Sequence, residues 1–174
     1  MKIHKMNTFS EKQKFRQWWL WVILVGVLLV PVIITIVNKP AQADLVTEIL
    51  IGLIAPALIV LLFVFMELRT QVNEQGIFYR FFPIHFQVLI INWDEVQKVY
   101  VRQYSPLKDF GGWGIRLGLG GKGKAYNVAG NMGLQIVLKT GKKILIGTQK
   151  PEEMQAMLVQ LVKAKVLKGD MIKE

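Results

Sequence analysis

Two stretches decide how this chain is read: Trp18 to Val37, WWLWVILVGVLLVPVIITIV, and Leu45 to Met66, LVTEILIGLIAPALIVLLFVFM. Each is close to the roughly 20 residues that an α-helix needs to cross a hydrocarbon core of about 30 Å. Apart from Glu48, near the start of the second, neither contains an ionisable side chain. The spacing predicts a transmembrane hairpin over residues 17–66, with helices at about 18–37 and 45–66. A cleavable signal peptide fits poorly, because the first run is too long for an h-region and a second run comes directly after. A buried core hairpin fits worse, since a chain of 174 residues has too little else to cover two wholly apolar helices.

The flanks set an expected orientation. Lys2, Lys5, Lys12, Lys14 and Arg16 stand before the first run against one acid, Glu11, whereas the loop from Asn38 to Asp44 carries only Lys39 and one acid. The positive-inside rule then keeps residues 1–16, a basic segment, in the cytoplasm, and two crossings return residues 67–174 to the same side of the inner (plasma) membrane. Trp18, Trp19 and Trp21 are placed to anchor at the headgroup level beside Arg16, with Arg69 snorkelling from the end of the second helix. Pro31, Pro56, Gly26 and Gly52 suggest packing and a mild kink; without an internal charge the hairpin has no ion or proton path.

The rest of the composition narrows the function. The chain is 52% hydrophobic yet carries 22 Lys and Arg against 12 Asp and Glu, a net charge of +10 that attracts polyanions or anionic lipid. It has no cysteine, which excludes disulfides and thiolate metal sites. His4 and His85 have no spaced acidic partners, so no metal site is expected, and no Ser-His-Asp spacing can be argued. Asp94 and Glu95 are adjacent, so on a strand they would face opposite ways, and they read as turn or surface groups.

After residue 67 the pattern is strands and turns. Strands are expected at Thr70–Asn73, Ile77–Phe82 (ended by Pro83), His85–Ile91, Val96–Arg102, Trp113–Leu119, Lys124–Ala129, Gly133–Lys139 and Lys143–Gly147. Ser105–Gly112 reads as a loop, and Thr140-Gly141 as a tight hairpin turn. From Pro151 the period becomes helical: Glu152 and Glu153 open the segment, Met154, Leu158, Leu161 and Val162 recur on one face, and Lys163, Lys165, Lys168 and Gly169 close it, giving a helix at 151–167. The expected fold is membrane-anchored α+β, with an antiparallel barrel or sandwich of about seven strands capped by the C-terminal helix.

Several strings in this region carry a resemblance. Glu74-Gln75-Gly76-Ile77-Phe78-Tyr79-Arg80, Ile91-Asn92-Trp93-Asp94-Glu95-Val96, Gly111-Gly112-Trp113-Gly114-Ile115-Arg116, Ala125-Tyr126-Asn127 and Ile144-Leu145-Ile146-Gly147-Thr148 resemble the bacterial pleckstrin-homology-like (PH-like) domain proteins, a largely uncharacterised membrane-anchored group. The likeness spans roughly Thr70 to Val166. It implies a PH-like barrel with Trp93, Gly112, Trp113 and Gly114 as structural motif positions, and it implies little about function, because that fold hosts lipid binders, protein binders and scaffolds.

Gly118-Leu119-Gly120-Gly121-Lys122-Gly123-Lys124-Ala125 nearly spells a phosphate loop. Ala125 stands where the magnesium-binding hydroxyl belongs, and strand, not helix, follows, so nucleotide hydrolysis is rejected. The stretch reads as a hairpin connection, with Lys122 and Lys124 available to a lipid phosphate or another anion. Arg116 can meet a carboxylate such as Asp109 or a phosphate. Three classes remain open. The leading expectation is a non-catalytic scaffold or protein-interaction module at the membrane, with a protein partner or a homo-oligomer. The second is an anionic-lipid sensor using Arg116, Lys122, Lys124, Lys142 and Lys143. The third, an enzyme, has no visible nucleophile, metal or carboxylate constellation. No cofactor, small-molecule substrate or nucleic-acid partner is expected.

Overall fold

The computed structural model describes residues 8–38 and 45–172, with Leu119 by its backbone alone. Lys2, His4, Lys5 and Lys39, which entered the orientation and metal arguments, lie outside the described residues. The chain divides into two units: residues 15–66, and a second made of the segment up to Lys14 together with Glu67 onward.

In the first unit, α1 (Trp18–Asn38) and α2 (Leu45–Phe65) are two helices long and apolar enough to cross a membrane. Leu24 is the one residue of the two helices that is buried, and the other apolar side chains are exposed or half-buried. The helices touch where bulk is smallest: a Cβ on Gly52 would lie 2.9 Å from the Pro31 Cβ. Gly26, the other glycine expected to permit close approach, has nothing within 4 Å of its Cβ position. Phe15 meets Phe63 edge to face at 5.4 Å, and the Trp21 indole donates to the Phe15 carbonyl at 3.2 Å.

The second unit has two sheets. The first runs β1 (Phe9–Lys14), β2 (Glu67–Asn73), β3 (Gly76–Phe82) and β4 (Leu89–Asn92), in that spatial order. The second is built from β5 (Val96–Gln103), β6 (Gly114–Gly118), β7 (Gly123–Asn127), β8 (Met132–Leu138) and β9 (Lys143–Gly147), ordered β5-β8-β9-β7-β6. Between them, α3 (Pro106–Phe110) is one short turn whose Ser105 hydroxyl caps the Lys108 amide, within the stretch expected to be a loop. The chain then ends in α4 (Pro151–Lys163) and a 3₁₀ turn at Gly169–Ile172.

The core follows from strand alternation. Inward positions of the first sheet, Leu68, Val72, Ile77 and Phe81, are fully buried, as are Val99, Leu134, Ile136 and Ile146 of the second and Met154, Leu158 and Leu161 of α4. A bulge between Val96 and Lys98 lets both Val96 and Val99 face inward although they are three residues apart. A smaller cluster, Tyr104, Phe110, Ala125 and Leu145, lies on the other face of the second sheet.

Several expectations are corrected. The described residues form nine strands, not about seven, and β7 pairs with β9 in parallel, so the domain is not wholly antiparallel. The basic N-terminal segment is not a free tail: Phe9–Lys14 is an edge strand, paired residue by residue with β2 from Phe9↔Val72 to Lys14↔Glu67. The membrane-length hairpin is therefore an insertion between two neighbouring strands. The strand expected at His85–Ile91 is only Leu89–Asn92, because the chain turns after Pro83. The C-terminal helix stops at Lys163 instead of residue 167. There Lys165 adopts a left-handed conformation (φ 61°), and the Val166 and Lys165 amides donate to the Leu161 and Val162 carbonyls, a Schellman closure made without glycine.

Candidate functional site

The outward face of the first sheet is cationic. Alternation places Ser10, Lys12 and Lys14 of β1, Glu67, Arg69 and Gln71 of β2, and Phe78, Arg80 and Phe82 of β3 on the side away from the core. The register sets Lys12 opposite Arg69 and Arg69 opposite Arg80, three cations in one row across three strands. Like charges directly opposite one another destabilise a sheet.

Glu67 offsets part of that repulsion. It lies one rung along, paired with Lys14 and Phe82, and accepts from Lys12 Nζ at 2.8 Å and from the Arg69 Nε, with Lys14 Nζ 3.9 Å away. Burial pushes the Glu67 carboxyl up, but hydrogen bonds and charge from Lys12 and Arg69 outweigh it and hold the group below its usual value of 4.5. None of this reaches Arg80, which has no ion pair among the described residues. Its guanidinium carbon sits 5.9 Å from the Phe82 ring centre, and its buried Nε has no hydrogen-bond partner. A groove of about 320 Å³ opens here, lined by Ser10, Arg69, Gln71, Phe78, Arg80 and Val88 among others.

An apolar loop adjoins this face. After the cis Phe82–Pro83 bond the chain turns, with the His85 amide on the Phe81 carbonyl at 2.8 Å, and then runs to β4. Ile84, Phe86, Val88 and Ile90 are all at least half exposed, Phe86 at 77%. Phe82, where the loop begins, is opposite Glu67, so the loop leaves the sheet at the end where the chain passes to and from residues 15–66. Inward of it, the Tyr126 ring lies 4.9 Å from Tyr79 and 5.6 Å from His85, with Lys124 Nζ 5.0 Å above Tyr126. Burial, and then Lys124, lower the His85 pKa below 6.5; burial, and then Tyr126, push Tyr79 far above 10.

The residues singled out in the sequence are dispersed. Lys122 is tied to Asp109, whose carboxyl is held below 3.8 first by that bond and then by the Ser105 amide. Arg116 pairs in register with Ala125 on the outer face of the second sheet and donates to the Trp113 carbonyl at 3.0 Å, not to Asp109. Lys124 points to the opposite face with Tyr126, while Lys142 and Lys143 are exposed at the β8–β9 turn. Trp93 is buried with its indole N–H on the Asn73 carbonyl at 2.9 Å, and Trp113 donates to the Gly130 carbonyl at 3.2 Å. Gly112 and Gly114 both have positive φ, and the Gly114 amide meets the Asn127 side chain at 2.9 Å. Arg16 and Trp18 are exposed, Trp19 and Trp21 less so. Arg69 is not on the second helix: it lies on β2, bound to Glu67, so it cannot snorkel from a helix end.

Sequence reasoning missed the row Lys12, Arg69, Arg80 because it left Phe9–Lys14 outside the sheet. Among the described residues no three His, Asp or Glu gather as metal ligands. No protein-family model matches the chain, and no curated protein sequence matches it.

Proposed function

We propose that this chain is a membrane-anchored, non-catalytic module whose PH-like domain lies in the cytoplasm and engages the anionic surface of the bilayer that holds its two helices. The observation that carries this reading is the coincidence of four cations, against one carboxylate, with an exposed apolar loop at the end of the sheet leading to the apolar helices. The cytoplasmic leaflet is the anionic one, and a Lys or Arg near it is worth about 1 kcal/mol, falling off within a Debye length of about 8–10 Å. A net excess of three positive charges therefore supports about 3 kcal/mol of surface attraction at low salt. Exposed Ile84 and Phe86 add apolar area that water disfavours and the headgroup boundary accepts.

The absence of cysteine makes the test direct. A polarity-sensitive dye on Gln87→Cys, in the full chain reconstituted into vesicles, should shift to the blue when phosphatidylglycerol replaces part of the phosphatidylcholine. The shift should reverse at high salt; spectra indifferent to lipid charge would refute the reading. The scaffold reading keeps one favourable observation, the four-residue edge strand β4 with Ile90 exposed, open to pairing with another chain's strand. Crosslinking from Gln87→Cys to protein instead of lipid would favour it.

A further inference from the structure

We propose that the groove on the outward face of the first sheet is a discrete site for a phosphomonoester, presented by a lipid headgroup or as free phosphate. The inference deepens the membrane-surface reading, on which it relies only for the source of the ligand.

Three observations converge. Arg80 lines the groove with an uncompensated charge and a buried Nε that meets no acceptor. Leaving such a donor unsatisfied is unfavourable, and an anion in the groove would satisfy it. Arg69, one strand away at about 5 Å, engages Glu67 through Nε, which leaves its terminal nitrogens for a second acceptor. Ser10 and Gln71 add a hydroxyl and an amide on the same walls. A guanidinium fork takes two oxygens of one phosphate, and Arg69 with Ser10 can take a third. A monoester presents three free oxygens, a diester only two. Phe78 and Val88 supply an apolar side for the carbon skeleton beyond the phosphate.

The test uses the full chain in mild detergent, titrated with dioctanoyl phosphatidic acid, dioctanoyl phosphatidylglycerol and inorganic phosphate. Phosphatidic acid should bind one to one, at least about tenfold more tightly than phosphatidylglycerol. Arg80→Gln should weaken it by about tenfold or more, as expected from the loss of about 1.5–3 kcal/mol in a charge-assisted bond. Lys142→Gln, a distant exposed cation, should change little. Because Arg80 has no ion pair among the described residues and stands opposite Arg69, its replacement should leave the thermal midpoint little changed, so weakened binding will not reflect misfolding. Equal binding of inorganic phosphate and phosphatidic acid would support the site and name the free anion as ligand. Equal binding of the two lipids, with Arg80→Gln and Lys142→Gln alike, would overturn the site. The salt-sensitive blue shift at Gln87→Cys would then still stand for the membrane-surface reading. Loss of that shift with Arg80-dependent phosphate binding intact would reject the reading and keep the site.

Discussion

Replacing Glu11 tests whether β1 belongs to the domain. Glu11 faces inward from β1 and is only 7% exposed; it accepts the Thr148 hydroxyl at 2.6 Å and the Gln149 amide at 2.8 Å, at the approach to α4. Beside it Gln13 donates to the Gly147 carbonyl at 2.7 Å. A hydrogen bond to a charged group contributes about 1.5–3 kcal/mol, and the Gln149 amide is partly open to water. Glu11→Ala should therefore cost about 2–4 kcal/mol, which for a domain near 100 residues lowers the thermal midpoint by roughly 10–20 °C. Glu11→Gln keeps an acceptor for Gln149 and offers its NH2 to the Thr148 oxygen, so it should cost less than half as much. The control, Glu153→Ala, removes an exposed pair with Lys150 and should stay within about 0.5 kcal/mol. The assay is thermal unfolding of the full chain in detergent, with hydrogen exchange at residues 67–73 and 144–149 as the local readout. A double-mutant cycle with Thr148→Val should show coupling of about 1–2 kcal/mol. If Glu11→Ala costs under about 0.5 kcal/mol and the cycle is additive, β1 does not hold the domain together.

Three further outcomes are expected. A Cβ at Gly123 would lie 2.1 Å from the Lys143 carbonyl oxygen at φ 84°, so Gly123→Ala should cost about 3 kcal/mol or more and abolish exchange protection along β7 and β9. Lys165→Gly relieves a left-handed side chain at the α4 closure and should raise stability by about 1 kcal/mol in urea titrations. The folded His85 pKa is depressed, so the native state resists a proton that the unfolded chain accepts: its stabilising effect is present above about pH 6.5 and is lost as pH falls below it. Its neighbours, Lys124 and the Tyr126 ring, offer no carboxylate to hold a charged imidazole. Thermal midpoints should therefore drop from pH 7 to pH 5 more in the native chain than in His85→Phe.

What was legible in the sequence is what local chemistry dictates. The two helices follow from apolar length, the Thr140-Gly141 turn from its residues, and the buried stripe Met154, Leu158 and Leu161 from helical period. The first strand was not legible because two of its three inward residues are the polar Glu11 and Gln13, whose partners are supplied by Gly147, Thr148 and Gln149 at the other end of the chain. No alternation of apolar and polar residues marks such a strand. The basic residues of the glycine-rich stretch were legible as charge but not as surface. Strand parity sends Arg116 and Lys124 to opposite faces, and Asp109 neutralises Lys122 from a separate element.

The insertion also constrains topology more firmly than flanking charge does. Lys14 and Glu67 are partners in one antiparallel ladder, so their Cα atoms lie about 5 Å apart. An odd number of crossings between them would set them apart by a hydrocarbon core of about 30 Å and break every pair of β1 with β2. Two helices of 21 residues, each about 32 Å long, satisfy the ladder with one outward and one return pass. The residues that decide orientation are then not only those preceding α1. Lys12 and Lys14 of β1, Arg69 of β2 and Arg80 of β3 all belong to the sheet whose first two strands cannot be separated, and they act as a single cationic flank. In the orientation proposed above, that flank would act through the same electrostatics proposed for the sheet face. Reversing Lys12, Lys14 and Arg16 to Glu should therefore invert the hairpin less completely than an N-terminal charge count implies, because Arg69 and Arg80 remain. Protease accessibility of the C-terminal half from outside the cell is the measure, and full inversion by those three substitutions would show that the ladder forms only after insertion.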